Sequence, residues 1–150
     1  MITLLIMKFP LQLNDLNRAR FIKYNKKKGK ACSFHESTNK GRNRSPEEFT
    51  PDADLNEQLD VYSLGNILWV LLMEEKVWKG VEEKKIKKLV RAGHSPVIPG
   101  NVLSNYSSAE KAIVHAMNMC FVTDPNERPT AMEVERYLRR KLVQYNVSQI

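Results

Sequence analysis

Cysteine is scarce in this sequence, with only Cys32 and Cys120 among its 150 residues, and the two lie far apart. Two distant thiols cannot form the disulfide framework of a small secreted domain, so we expect a reducing compartment, the cytoplasm or the nucleus. Long apolar runs are also absent. Residues 1–7 are mostly apolar, but no basic residue precedes them, and Lys8 and Pro10 end the run far short of a membrane span. The sequence therefore predicts neither a signal peptide nor a transmembrane segment.

Acidic residues are too few to balance the bases, since 17 Asp and Glu face 24 Lys and Arg, a net charge of +7. Residues 18–44 contain ten bases and one acid, whereas residues 47–60 contain six acids and no base. Such a basic stretch can attract phosphate, nucleic acid or an acidic partner, although a solvated loop often has the same composition. With 42% apolar residues, the chain can still form one globular core.

The spacing of apolar residues predicts a mainly helical chain. Leu11 and Leu13 alternate with polar residues and indicate a short strand, whereas residues 21–44 show no period and indicate a long, mobile loop. Residues 61–72 are apolar on almost every side, so we expect a helix that is buried on almost every side. An amphipathic helix is predicted over residues 81–91.

Three local signals mark helix ends. Gly93 follows the amphipathic helix and is expected to end it. Ser107 and Glu110 have the spacing of a capping box, in which each residue satisfies a backbone amide of the other, and Thr130 and Glu133 repeat that spacing. The last two helices are therefore expected to begin at these pairs.

Four short motifs follow one another along the chain. They are Asp15-Leu16-Asn17, Arg44-Ser45-Pro46-Glu47, Asp60-Val61-Tyr62-Ser63-Leu64-Gly65 and Asp124-Pro125-Asn126-Glu127-Arg128-Pro129. In this order they resemble the second half of a eukaryotic-type protein kinase domain, from the magnesium-binding loop to the last helix. The resemblance implies a fragment of the C-terminal, large lobe: mainly α-helical, with a short N-terminal strand and a long activation-type loop, and without the N-terminal lobe.

The resemblance also divides the chain into segments. Residues 1–10 would be a remnant N-terminal segment, residues 11–144 a partial protein kinase domain, and residues 145–150 a tail. Within the partial domain, the activation segment would span residues 15–47 and the helical subdomain residues 48–144.

Asp15 is the residue that the resemblance places at the nucleotide. Kinases transfer a phosphoryl group with magnesium ions that carboxylates hold against the phosphates of ATP, and Asp15 resembles such a ligand. The family usually has Asp-Phe-Gly here, whereas Leu16 and Asn17 follow Asp15 in this chain. The resemblance thus implies ATP and Mg²⁺ as cofactors, with Asp15 as the metal-binding and cofactor-binding residue.

Three other residues are expected to hold the scaffold. In the family, the Glu at the end of the activation segment forms a buried ion pair with an Arg before the last helix, and Glu47 and Arg128 stand in those positions here. Asp60 resembles the residue that starts the central helix of the large lobe, where its carboxylate could act as an N-cap.

Hydroxyl side chains in the predicted activation loop are candidates for regulation. Ser33, Ser37 and Thr38 lie there among Lys and Arg residues. Phosphate groups at these positions could pair with the bases and order the segment, so all three are candidate regulatory phosphorylation sites.

The parts of a kinase that are missing matter as much as those present. Catalysis also requires a glycine-rich phosphate-binding loop, a strand Lys paired with a helix Glu, and a catalytic loop of the His-Arg-Asp type that supplies the base. Only 14 residues precede Asp15, and they contain none of these. We therefore assign no catalytic residue, and we predict that the chain as given is inactive and binds neither ATP nor Mg²⁺ tightly.

Three functions remain open from the sequence. The motifs favour a partial protein kinase domain, whose complete form would use ATP to phosphorylate Ser or Thr of a protein substrate. The second function is a non-catalytic, pseudokinase-type module that docks a protein partner through its basic helix and loop. The third is a basic helical nucleic-acid-binding domain, which residues 26–30 support only weakly because few aromatic residues accompany their lysines.

Overall fold

The computed structural model describes residues 19–36 and 40–147. The strand predicted at residues 11–14 lies outside these ranges, as do Asp15, Ser37 and Thr38. Within them the fold is mainly helical, which confirms the predicted class.

The elements are a β-hairpin of β1 (Tyr24–Asn25) and β2 (Lys30–Ala31), a 3-10 helix (Glu47–Phe49), α1 (Gln58–Met73), α2 (Glu83–Arg91), α3 (Gly100–Leu103), α4 (Ser108–Cys120) and α5 (Ala131–Val147). No helix in these ranges combines the length and the apolar character needed to cross a membrane.

A short hairpin occupies part of the region that the sequence indicated to be an unstructured loop. Strands β1 and β2 pair antiparallel. In the turn between them, the Asn25 side chain accepts a hydrogen bond from the Lys28 amide at 3.1 Å, and Gly29 adopts a positive φ of 63°. The sequence predicted a long, mobile loop over residues 21–44, and the hairpin within it was not predicted. Turn-forming Asn and Gly can produce a hairpin without the apolar alternation that marks longer strands.

The predicted helix ends are confirmed. Gly93 follows α2 with a φ of 84°, a conformation that glycine adopts without strain. Before α4, the Ser107 hydroxyl accepts from the Glu110 amide at 3.3 Å, and the Glu110 carboxylate accepts from the Ser107 amide at 2.8 Å. Thr130 and Glu133 make the same reciprocal pair before α5, at 3.3 and 2.7 Å. These caps fix where the last two helices begin.

Helix α1 is the centre of the described fold. It packs against α4, and α4 packs in turn against α5. Helix α2 adds Ile86 and Val90 to the same core, where they are 0% and 1% exposed. Tyr106, before α4, closes one edge by donating its hydroxyl to the Leu72 carbonyl at 3.1 Å.

One face of α1 is exposed, contrary to the expectation of burial on almost every side. Leu68 and Trp69 are buried, but Ile67 and Leu71 are 55% and 54% exposed. An apolar side chain is stabilised by burial, but its presence in the sequence does not show that another element covers it. Among the described residues, α4 covers one side of α1 and leaves Ile67 and Leu71 in solvent.

Gly65 allows the close contact between α1 and the end of α4. A Cβ atom at this position would lie 2.8 Å from Phe121 Cε1 and 3.0 Å from Cys120 Cβ. We expect Gly65→Ala to lower the free energy of unfolding by about 1–2 kcal/mol, because overpacking costs more than the helix propensity of alanine restores. Urea unfolding followed by circular dichroism measures this change. The control is Gly100→Ala, since a Cβ atom there meets nothing within 4 Å; equal stability of both variants would contradict the close packing.

Candidate functional site

Glu47 and Arg128, 81 residues apart, form a buried bidentate ion pair. Arg128 Nη1 lies 2.7 Å from Glu47 Oε1, and Nη2 lies 3.0 Å from Glu47 Oε2. The side chains are 0% and 8% exposed, Arg128 being the more buried. Two parallel N–H···O bonds hold the planar guanidinium and carboxylate groups in one relative orientation. The pair therefore fixes the 3-10 helix against the turn that precedes α5.

Arg128 also donates to three backbone carbonyls, which belong to two segments of the chain. Its Nη1 donates to the Gln58 carbonyl at 2.6 Å, its Nε to the Val122 carbonyl at 2.8 Å, and its Nη2 to the Thr123 carbonyl at 3.2 Å. All three guanidinium nitrogens thus have partners. The end of the activation-type loop, the start of α1 and the loop after α4 meet at this one side chain.

A local turn presents Arg128 to these partners. The Asp124 carboxylate accepts from the Asn126 amide at 2.8 Å, and the Asp124 carbonyl accepts from the Arg128 amide at 3.0 Å. Pro129 then leads into the Thr130 cap of α5. The sequence Asp124 to Thr130 therefore specifies both a compact turn and the position of the arginine within it.

Glu48, next to the ion pair, is a buried residue that the sequence analysis missed. Its Oε2 accepts from the Ser45 amide at 2.9 Å and from the Ser45 hydroxyl at 3.1 Å, while its Oε1 lies 3.1 Å from Arg44 Nη1. Ser45 is 0% exposed and Glu48 4%. A signal was present, because Ser45 and Glu48 have the spacing of a capping box.

Asp60 is not the N-cap of the central helix. Helix α1 begins at Gln58 with Glu57 in the N-cap position, so Asp60 lies inside the first turn. The Asn56 side chain accepts a hydrogen bond from the Gln58 amide at 3.0 Å. Asn56, and not Asp60, therefore satisfies this amide at the start of the helix. Burial raises the pKa of the Asp60 carboxyl above its ordinary value. When ionised, Asp60 places a negative charge in the first turn of α1, where it interacts favourably with the positive end of the helix dipole.

Ser33 already has an acidic neighbour. Its hydroxyl donates to Asp54 Oδ1 at 2.8 Å, and His35 Nε2 lies 3.6 Å from the same oxygen. Phe34, between them, pairs with Leu55 through two backbone hydrogen bonds of 2.8 and 2.9 Å. A phosphate on Ser33 would stand beside the Asp54 carboxylate, so its first effect would be repulsion and not the ordering expected for this loop.

The described residues do not provide a magnesium site. Among residues 19–36 and 40–147, no group of three or more His, Cys, Asp or Glu side chains could hold a metal ion. Asp15, which the resemblance assigned to the metal, lies outside these ranges.

A comparison with protein families supplies the identity. The family model described as protein tyrosine and serine/threonine kinase matches residues 16–138, which include both members of the buried ion pair. The chain belongs to this protein kinase family. The family uses ATP and Mg²⁺ for phosphoryl transfer, with protein side chains as acceptors.

Curated relatives support the same family. Two probable LIM domain-containing serine/threonine-protein kinases of Dictyostelium discoideum are 31% and 30% identical to this chain over 90 residues. The match covers 60% of the chain, but only 13% and 8% of those relatives. A probable serine/threonine-protein kinase of the same organism is 33% identical over 86 residues, 57% of the chain and 6% of the relative. The chain thus corresponds to a small part of each relative.

Arg42 is a second residue of this kinase-family chain that sequence reasoning missed. Its Nη1 donates to the Val81 carbonyl at 2.8 Å and to the Trp78 carbonyl at 3.2 Å. Trp78 has a φ of 55°, a conformation that a bulky side chain rarely adopts. The neighbouring Gly41 amide donates to Glu83 Oε1 at 3.0 Å. The segment before the ion pair is therefore fastened to the start of α2, and no sequence spacing indicated this contact.

Tyr62 makes the stability of the kinase-family fold sensitive to alkaline pH. Its ring lies 5.1 Å from the Arg128 guanidinium carbon, and burial raises the pKa of its phenol from 10.0 to about 12. The unfolded phenol loses its proton first, so the free energy of unfolding should fall as the pH rises from about 10 to about 12. We expect a loss of about 1–2 kcal/mol, which urea unfolding over this pH range measures.

Tyr62→Phe is the matched variant, because it keeps the ring and removes the titrating group. Burial also raises the pKa of the Cys120 thiol, to about 11 from 9.0, and that contribution should persist in the variant. An unchanged fall in stability above pH ~10 in Tyr62→Phe would show that the phenol is not its source.

Proposed function

We propose that the chain is a C-terminal-lobe portion of a protein serine/threonine kinase. In a complete kinase domain this lobe would carry the end of the activation segment, and the whole domain would phosphorylate Ser or Thr of a protein substrate with Mg-ATP. The observation that carries the proposal is the buried pair of Glu47 and Arg128, which docks the segment from Ser45 to Phe49 on the helical subdomain. The names of the curated relatives support Ser/Thr, rather than Tyr, as the acceptor.

We further propose that these 150 residues transfer no phosphoryl group by themselves. The sequence contains no glycine-rich phosphate-binding loop, no strand Lys paired with a helix Glu and no His-Arg-Asp-type loop. Catalysis of phosphoryl transfer depends on positioning and charge neutralisation by these parts. With Asp15 alone, no loop would bind the phosphates of ATP and no base would accept the proton of the acceptor hydroxyl.

Two assays with the 150-residue protein test this proposal. We expect no incorporation of labelled phosphate into an added protein acceptor, and no rise in melting temperature when Mg-ATP is added. The matched control is Asp15→Ala, which removes the assigned magnesium ligand. Incorporation of phosphate that requires Mg²⁺ and disappears in Asp15→Ala would overturn the proposal. A rise in melting temperature with the same dependence would contradict only the expectation that the chain does not hold Mg-ATP.

A non-catalytic interaction module is the second candidate function. The observation that favours it is a row of basic side chains on α2 that forms no ion pair with the residues the structure describes; this row is presented in the next subsection. Sequencing of transcripts upstream of Met1 separates the two candidates. A reading frame that continues upstream through a glycine-rich loop and a catalytic loop supports the kinase lobe, whereas transcripts without those parts favour the module.

A further inference from the structure

Helix α2 carries one dense stripe of positive charge. Four of its nine residues are Lys and one is Arg. Lys84, Lys87, Lys88 and Arg91, together with Ala92, line a shallow surface depression of about 460 Å³ that is widely open to solvent. We call this surface the basic groove.

The charges of the basic groove are not neutralised within the described part of the chain. None of the ion pairs among those residues includes Lys84, Lys88 or Arg91, and Lys87 has an aromatic contact instead of an acidic partner. The nearby Glu83 carboxylate accepts from the Gly41 amide. The groove therefore presents a concentrated positive potential to solvent.

Helix stability does not account for this stripe. Lys84 and Lys88, and likewise Lys87 and Arg91, stand four residues apart, where like charges repel and destabilise a helix. The helix dipole favours cations in the last turn, which explains Lys88 and Arg91, but it disfavours Lys84 and Lys85 in the first. The helix itself therefore accounts for Lys88 and Arg91 but not for Lys84 and Lys85.

The groove is held rigidly by the core. Ile86 and Val90, on the opposite face of α2, are 0% and 1% exposed. The Lys87 ammonium lies 5.7 Å from the centre of the Phe49 ring, next to the docked 3-10 helix. Because the backbone of α2 is already ordered, binding a ligand would not require this part of the chain to become ordered.

We propose that the basic groove binds an acidic segment of a partner protein. Cations four residues apart on one helix face match carboxylates at a similar spacing, and the aliphatic stems of the lysines supply apolar contact below them. Single-stranded nucleic acid is a poorer match, since proteins bind it by stacking bases on aromatic side chains and the groove lining has none. This inference does not depend on whether the chain supports phosphoryl transfer.

The experiment compares two matched double variants of the 150-residue protein. Lys88→Gln with Arg91→Gln removes two charges from the groove, and Arg136→Gln with Arg140→Gln removes two exposed charges from α5. Fluorescence anisotropy measures binding of a labelled oligo-glutamate peptide and, separately, of a labelled single-stranded RNA. We expect the groove variant to bind the peptide about tenfold more weakly than the unmodified protein does, because two ion pairs with the peptide are lost. The α5 variant should bind it with nearly unchanged affinity.

Three results would overturn the proposal. The first is no measurable binding of oligo-glutamate by the unmodified protein at low salt. The second is an equal loss of peptide affinity in both variants, which would reflect net charge alone. The third is RNA binding that is tighter than peptide binding and is weakened in the groove variant, which would make the groove a nucleic-acid site.

Discussion

Arg128→Ala is expected to lower the free energy of unfolding by about 3–5 kcal/mol. The substitution leaves the Glu47 carboxylate, 8% exposed, without its counter-charge. It also removes the donors to the carbonyls of Gln58, Val122 and Thr123. An unpaired buried charge costs far more than the pair itself contributes, so the loss should be large. Urea unfolding monitored by circular dichroism gives the value.

Arg139→Ala is the matched control for this prediction. Arg139 also pairs with a glutamate, at 2.5 Å from Glu135, but their side chains are 73% and 49% exposed. Water solvates both partners after the pair is broken, so the expected change is within about 0.5 kcal/mol. Similar losses in the two variants would mean that burial does not distinguish the pairs, and would contradict the proposed anchor.

Ile86→Ala is expected to lower the free energy of unfolding by about 2–5 kcal/mol. Ile86 is 0% exposed and joins α2 to the core, so its truncation leaves a cavity between tightly packed side chains. Ile67→Ala removes the same atoms from α1 at a position that is 55% exposed, and should change stability by less than about 0.5 kcal/mol.

Guanidinium unfolding of both isoleucine variants checks this pair. A large loss for Ile67→Ala would mean that another part of the protein covers the exposed face of α1. A small loss for Ile86→Ala would mean that α2 is not packed on the core, which would also remove the rigid support of the basic groove.

Local signals in the sequence were sufficient to predict several features. The pairs Ser107 with Glu110 and Thr130 with Glu133 cap helices because only four adjacent residues are needed to make those hydrogen bonds. The class of fold also followed from the apolar spacing and from the order of the motifs. The spatial proximity of Glu47 and Arg128 was expected only from the family resemblance, since no local rule joins residues so far apart.

Features that depend on neighbours in space could not be read from the sequence. The exposed face of α1 is as apolar as its buried face, so composition could not distinguish Ile67 from Leu68. Arg42 donates to the Trp78 and Val81 carbonyls because the loop brings it close to the start of α2. No spacing of residues in the sequence indicates that path. Asp60 was expected to be an N-cap because the sequence placed the helix start at this residue. The helix begins earlier, at Gln58, and Asn56 accepts the hydrogen bond from the Gln58 amide.

We propose that the buried ion pair of Glu47 and Arg128 anchors the end of the activation segment on a kinase-type helical lobe. A double-mutant cycle with Glu47→Gln and Arg128→Met measures the interaction energy between the two side chains most directly. We predict a favourable coupling of about 2–3 kcal/mol, because both groups are buried and paired in a bidentate geometry. Additive effects of the two substitutions, within about 0.5 kcal/mol, would contradict it.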